Sequence, residues 1–133
     1  MIQIGQTASI SKKFSNQDLH DFAKLSLDFN PVHLDAEFAK ETIFGKQVVH
    51  GMLASSLFSG LLGTHLPGEG TIYLGQDLKF KKPIFVDQEV TATVEVINIR
   101  KEKSIITLKA ECRNDQDEVV IIGQAVVKYE MSA

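Results

Sequence analysis

The sequence has little of what small proteins without a large core use to stay folded. Its 133 residues include one cysteine, three prolines and no tryptophan. A single cysteine excludes an internal disulfide, and the position of Cys112 in an alternating segment favours burial as a small apolar side chain. Because 44% of the residues are hydrophobic, the chain can bury one ordinary core instead. We therefore expect a single domain over residues 1–133.

Long apolar runs and an excess of positive charge are also missing. No stretch approaches the roughly 20 apolar residues of a membrane span, and the first residues lack the pattern of a signal peptide. The 14 Lys and Arg residues against 17 Asp and Glu residues give a formal net charge of −3. The densest basic cluster, Lys79 to Lys82, is predicted to be a solvated strand end, although it could meet a phosphorylated ligand. We expect a cytoplasmic protein that binds neither membranes nor nucleic acids.

The first third of the chain has helical periodicity. After a short strand over 8–14, a helix capped by Ser15 or Asn16 is predicted to end near Asp28. Pro31 should keep the segment that follows out of helix. A second short helix is predicted over 35–40.

The segment 51–63, GMLASSLFSGLLG, has no charge. A helix here cannot be a surface helix, so it should form the buried centre of the fold. Beyond it, apolar residues recur at strand spacing over 72–80, 90–96, 106–112 and 119–129, and short polar turns favour antiparallel pairing. The sequence predicts an α+β domain in which a curved antiparallel sheet wraps one long helix.

The segment DFNPVH at 28–33 places a carboxylate, an amide and an imidazole close together. An acid and a base held side by side are what reversible water addition needs, because one proton must leave water as another reaches carbon. Asp28 and His33 are candidates for this pair, and Asn30 could orient either of them or the water. The alternative is an ordinary turn with a hydrogen-bonded histidine.

A second candidate is the start of the apolar helix, at His50 and Gly51. Unpaired backbone N–H groups and the helix dipole favour developing negative charge there, and Gly51 leaves the backbone bare. A thioester carbonyl seated at this point would be stabilised as its oxygen gains enolate character. Alternatively, Gly51 only permits close packing and His50 fills space.

Other chemistry finds little support. Ser59 lies on a stripe of small residues that could admit the sheet or an acyl chain, but it lacks the strained turn and adjacent base that activate a nucleophile. The four histidines do not have the spacing of a metal site, and no glycine-rich loop follows a strand. We predict no metal and no cofactor.

The segments DFNPVH at 28–33 and VVHGMLASSLFSGLLG at 48–63 resemble the hydratase motif of MaoC-like R-specific enoyl-CoA hydratases, and the resemblance extends from Phe22 to Tyr129. It implies a hot-dog fold, with a five-stranded antiparallel sheet around a helix, and a homodimer whose sheets join edge to edge. It also implies syn hydration of a trans-2-enoyl-CoA to the R-3-hydroxyacyl-CoA, as in the bacterial enzymes that feed polyhydroxyalkanoate synthesis.

By the same resemblance, Asp28 and His33 match the catalytic pair and Asn30 matches the amide between them. Gly51 matches the backbone donor to the thioester oxygen, with His50 beside it. Further candidates for the substrate pocket are Ser59, Leu62, Phe29 and Phe58. Three alternatives stay open: a 3-hydroxyacyl dehydratase acting on acyl carrier protein, a thioesterase, and a noncatalytic acyl-CoA-binding subunit.

Overall fold

The computed structural model describes residues 1–131, so the last two residues of the predicted domain lie outside the described part. Within it the chain forms four α-helices, six strands and one short 3-10 helix. In chain order these are β1 (Thr7–Lys13), α1 (Asn16–Ser26), α2 (Pro31–Leu34), α3 (Ala36–Lys40), α4 (Gly51–Thr64), β2 (Ile72–Gln76), β3 (Lys79–Phe80), β4 (Glu89–Arg100), the 3-10 helix (Lys101–Lys103), β5 (Ile105–Asn114) and β6 (Val119–Lys128).

Helix α1 begins and ends where local sequence signals place it. The Ser15 hydroxyl accepts a hydrogen bond from the backbone N–H of Asp18, and the Asp18 carboxylate accepts one from the backbone N–H of Ser15. The helix closes at Leu27, whose φ of 65° is left-handed. The predicted helix is confirmed, and its end delivers the chain to Asp28.

Pro31 behaves differently from the expectation. We predicted a segment free of helix, and that prediction is wrong, because Pro31 occupies the first position of α2. Proline is well suited to that position, since the N–H it lacks would have no partner inside the helix. The single turn of α2 places His33 next to the start of α4.

The strands form one antiparallel sheet in the order β1-β4-β5-β6-β2, with β3 paired to β6 as well. Strands β4, β5 and β6 are the predicted meander. A curved antiparallel sheet packed against one long helix is the α+β hot-dog arrangement that we expected. The expected number of strands was wrong, because Lys79 and Phe80 leave the line of β2 and pair separately with β6, which makes a sixth strand.

One face of α4 belongs to the core of the domain. Its buried apolar residues, which pack with the inward-facing side chains of the sheet, are Ala54, Leu57, Phe58, Leu61 and Leu62. The other face is open, with Ser56, Ser59 and Gly60 exposed. The helix is therefore central on one side only, and its uncharged second face remains available for contact.

Strand β5 carries the single cysteine into the core. Cys112 is fully buried, as the alternation predicted, and burial raises the pKa of its thiol to about 12. Within residues 1–131, no helix has both the length and the apolar character needed to cross a membrane.

Candidate active site

A cavity of about 480 Å³ opens beside the first turn of α4. Its wall includes Asp28, which follows α1, and His50 and Gly51 at the start of α4. Phe80 and Lys81 contribute from the segment around β3. The chain thus brings the end of α1, the start of α4 and the end of β3 to one cleft. A concave, mainly apolar site with a few polar groups is the usual form of a small-molecule pocket.

Asn30 builds the turn that carries the candidate pair. Its backbone N–H donates to Oδ1 of Asp28 at 3.1 Å, and its own side-chain oxygen accepts from the backbone N–H of Val32 at 3.3 Å. The side chain therefore caps α2. This geometry gives Asn30 a part in shaping the loop, whereas its role in orienting either member of the pair or the water stays a prediction.

Asp28 and His33 face each other across this turn. Oδ2 of Asp28 lies 4.0 Å from Nε2 of His33, and the two side chains are 47% and 13% exposed. Nδ1 of His33 lies 2.7 Å from the carbonyl oxygen of Val48. A carbonyl only accepts hydrogen bonds, so Nδ1 carries the proton and the neutral ring presents a lone pair at Nε2. The 4.0 Å separation is too long for a direct hydrogen bond but suits one water that contacts both groups.

His50 lies flat against His33. The two ring centroids are 3.9 Å apart with an interplanar angle of 25°, and the edge of Phe22 closes in with its centroid 4.9 Å from that of His50. The His50 side chain is 2% exposed, and its Nε2 is 3.2 Å from the carbonyl oxygen of Asp28. Burial, and then the neighbouring His33, lower the pKa of His50, which favours the neutral ring. The ring of His50 is turned to Asp28, so a contribution of His50 to the oxyanion site would have to come from its backbone. That role stays a prediction.

Gly51 is the first residue of α4. A Cβ atom at this position would lie 2.6 Å from Cε1 of Phe80, closer than side-chain atoms approach one another. Both interpretations of Gly51 thus have support: a side chain at this position would have to displace the Phe80 ring, and the Gly51 backbone stands in the cavity wall at a helix N-terminus.

The four predicted substrate-binding residues do not join this cavity. Ser59 lines a second cavity of about 430 Å³ between α4 and β2. Phe58 and Leu62 are 0% and 1% exposed and belong to the core. Phe29 is 57% exposed and lies outside the described lining of either cavity. In the described chain, Phe58 and Leu62 turn into the core because they share the buried face of α4.

Sequence reasoning missed Phe80, Phe44 and Met52 as cavity residues. The sequence did contain a signal for Phe80, because it is the one aromatic residue in a cluster of three lysines at 79–82, which is unusual for a solvated strand end. Met52 follows Gly51 directly and could have been placed with it. Nothing in the local sequence distinguishes Phe44.

Asp28, His33 and His50 also have potential metal-ligand atoms within 4.8 Å of one another. The two imidazoles are stacked, so their lone pairs lie in nearly parallel planes instead of converging on one point, as a tetrahedral site requires. One nitrogen of each ring already meets a backbone carbonyl oxygen. The arrangement suits proton transfer better than coordination, and the absence of a metal stays a prediction.

Comparison with known proteins shows the family and the fold. Residues 2–118 match the model of the MaoC like domain. The chain is 52% identical to the (R)-specific enoyl-CoA hydratase of Aeromonas caviae over 96% of this chain and 95% of that protein. It is 44% identical to the (R)-specific enoyl-CoA hydratase of Rhodospirillum rubrum over 95% of this chain and 87% of that protein. The solved (R)-hydratase from A. caviae involved in PHA biosynthesis superposes with a TM-score of 0.94 at 52% identity, covering 96% of each chain.

Proposed function

The chain belongs to the MaoC-like domain family, and on that premise we propose that it is a hydro-lyase that hydrates trans-2-enoyl-CoA to the R-3-hydroxyacyl-CoA. The matches to the relatives named as hydratases cover 95% and 87% of those proteins, which supports the proposal. The observation that carries the proposal is the 4.0 Å approach of Asp28 and His33 beside the cavity that contains Gly51.

In this proposal Asp28 and His33 hold one water against the β-carbon of the enoyl group. The water oxygen forms the new bond to that carbon as one member of the pair takes its proton. A proton is then delivered to the α-carbon from the same face, so the addition is syn. Since Nε2 of His33 presents a lone pair in the neutral ring, it can accept a proton and later donate it.

Gly51 supports the same step from the thioester side. Its backbone N–H stands at the positive end of the α4 dipole, where developing negative charge is favoured. A thioester oxygen placed there gains enolate character as water attacks, and a fixed donor stabilises that charge more than the ground state. The proposal assigns Gly51 this role through its backbone.

The length of the acyl chain that the site accepts would depend on the space in the cavity beside Met52 and Phe80. Each buried methylene contributes only about 0.8 kcal/mol, so neighbouring chain lengths should be separated weakly. We propose a preference for short chains, and comparable turnover of a long-chain enoyl-CoA would contradict it.

We also propose that two copies assemble through the β2 edge of the sheet. The sheet has β1 at one end and β2 at the other. On β2, Ile72, Tyr73 and Leu74 are 56%, 40% and 52% exposed, whereas most of the exposed side chains of β1 are polar. An exposed apolar edge strand favours pairing with another strand. Sedimentation should show a dimer that Leu74→Lys weakens and Thr7→Lys, on the polar β1 edge, leaves intact.

Hydration of crotonyl-CoA by purified variants tests the activity. Asp28→Asn and His33→Gln should each lower the rate by at least about 100-fold, the scale of acid–base contributions. His65→Gln, at the exposed far end of α4, is the control and should keep the wild-type rate. Folded Asp28 and His33 variants with wild-type rates would refute the assignment.

Three further measurements separate the alternatives and check the product. Turnover of a carrier-bound thioester without turnover of the CoA thioester would identify a dehydratase of acyl carrier protein. Release of free thiol from an acyl-CoA would identify a thioesterase. Chiral analysis of the hydrated product checks the R configuration.

A further inference from the structure

The mechanism above leaves one buried polar side chain of the site without a role. His50 is almost fully buried between His33 and Phe22, and it touches both proposed catalytic residues. Its ring stacks on His33, and its Nε2–H donates to the carbonyl oxygen of Asp28. One side chain therefore connects the imidazole of His33 to the backbone of Asp28.

We propose that His50 is a positioning residue, whose neutral ring holds His33 and Asp28 in the relative geometry that hydration needs. The inference rests on the proposed function and adds a residue to it. The Nδ1–H of His33 already fixes one end of that ring at Val48. Stacking on His50 fixes the plane of the ring, so Nε2 is held toward Asp28.

Packing alone does not account for a histidine at this position. Nδ1 of His50 has no hydrogen-bond partner within residues 1–131, although it is buried. A buried acceptor without a donor is unfavourable, so an apolar ring would fill the same space at lower cost. What histidine adds to an apolar ring is the donor that meets the carbonyl of Asp28.

The charge state of His50 also matters to His33. The titratable groups that face His50 are His33 and Asp28, while Lys81 and Lys82 line the same cavity. Two stacked imidazoles cannot both carry a positive charge without repulsion. Burial lowers the pKa of His50, so His50 stays neutral and His33 can accept the proton that water releases.

Two variants separate the parts of this role. His50→Phe keeps a flat ring against His33 and removes the donor to Asp28, whereas His50→Gln keeps a donor and removes the stacked ring. Each should lower kcat for crotonyl-CoA roughly 10-fold to 100-fold, the scale on which misplacing reacting groups acts. KM should change far less than kcat, because the donor of His50 meets Asp28 and not the substrate.

The control is His20→Phe. Nδ1 of His20 lies 2.9 Å from the carbonyl oxygen of Asn16 in α1, so this variant also removes an imidazole–carbonyl contact, but outside the site. It should keep the wild-type kcat. A thermal melt run beside the assay separates positioning from folding: His50→Phe should unfold no earlier than the wild type and still be slow.

The outcomes are distinct. A wild-type protein that does not hydrate crotonyl-CoA contradicts the proposed function. If the wild type is active, a folded His50→Phe or His50→Gln with wild-type kcat overturns the positioning role of His50. If His50→Phe fails to fold, His50→Gln decides alone, and a kcat loss that only tracks lost stability also overturns it.

Discussion

A Cβ atom on Gly51 would lie 2.6 Å from the ring of Phe80, although the two residues come from different parts of the chain. The N-terminus of α4 and the end of β3 therefore pack so closely that a side chain at position 51 would contact the Phe80 ring. Phe80 is 53% exposed, so its ring can move away without breaking the core. This contact joins the proposed oxyanion donor to the apolar wall of the cavity.

Gly51→Ala should consequently harm activity more than folding. The added methyl displaces either the Phe80 ring or the first turn of α4, and a shift of the backbone donor weakens enolate stabilisation. We expect kcat/KM for crotonyl-CoA to fall by at least about 10-fold, since small misplacements at a reacting centre have large effects. Steady-state kinetics and a thermal melt measure the two effects separately.

The matched control is Gly60→Ala in the same helix, where an added Cβ meets nothing within 4 Å. Alanine is favoured over glycine inside a helix by about 0.5–1 kcal/mol, so this variant should be slightly more stable and fully active. Equal kinetics for the two variants would contradict the role of the Gly51–Phe80 contact.

Gly123→Ala should destabilise the fold. A Cβ at this position in β6 would lie 1.9 Å from the backbone carbonyl oxygen of Asp77, which cannot rotate away as a side chain can. Overpacking of this kind costs about 1–3 kcal/mol or more. Urea unfolding measures it, with Gly63→Ala in α4 as the control because nothing lies within 4 Å of its added Cβ. Equal unfolding midpoints for both variants would contradict the close approach.

The approach of Asp28 to His33 was predictable because it is local. A helix end, a capping amide and a proline lie within six residues, and together they restrict the conformation of the segment that carries both side chains. The only local error was the state of Pro31. Its ring is compatible with both an extended segment and the first turn of a helix, and the sequence does not separate the two.

The stacking of His50 on His33 was not predictable. It depends on how α2 docks against the chain entering α4, and no periodicity encodes that contact. The orientation of α4 was hidden for a related reason. Its residues are apolar or small all round, so hydrophobic spacing does not tell which face meets the sheet. The family resemblance placed Leu62 near the pocket, and Phe58 was a candidate for the pocket wall, whereas both lie in the core.

The buried His50 ring should make the protein less stable in mild acid. Its pKa lies below the ordinary value of 6.5 because of burial first and His33 second. Below pH 6.5 the unfolded chain takes up a proton that the folded chain refuses until its own lower pKa is reached. The protonation of His50 therefore costs no stability well above pH 6.5. The free energy of unfolding declines as the pH falls from 6.5 toward the lower pKa of the folded state.

Urea unfolding of the wild type and of His50→Phe on both sides of pH 6.5 measures this effect. Groups common to both proteins cancel in the difference between their unfolding free energies. As the pH falls, the wild type should lose stability relative to His50→Phe. A difference that does not vary with pH would contradict a buried neutral His50.

Cys112 should be inert in the folded protein. The side chain is fully buried in β5, and burial, followed by the charge of Glu111, raises the pKa of the thiol to about 12. Because the thiolate is the reactive form, iodoacetamide should label the protein only in denaturant, with one adduct per chain by mass spectrometry. The unfolded chain ionises near 9.0 while the folded chain keeps its proton, so stability should also fall as the pH rises through that value. Labelling of the native protein as fast as the unfolded one would show that β5 opens readily.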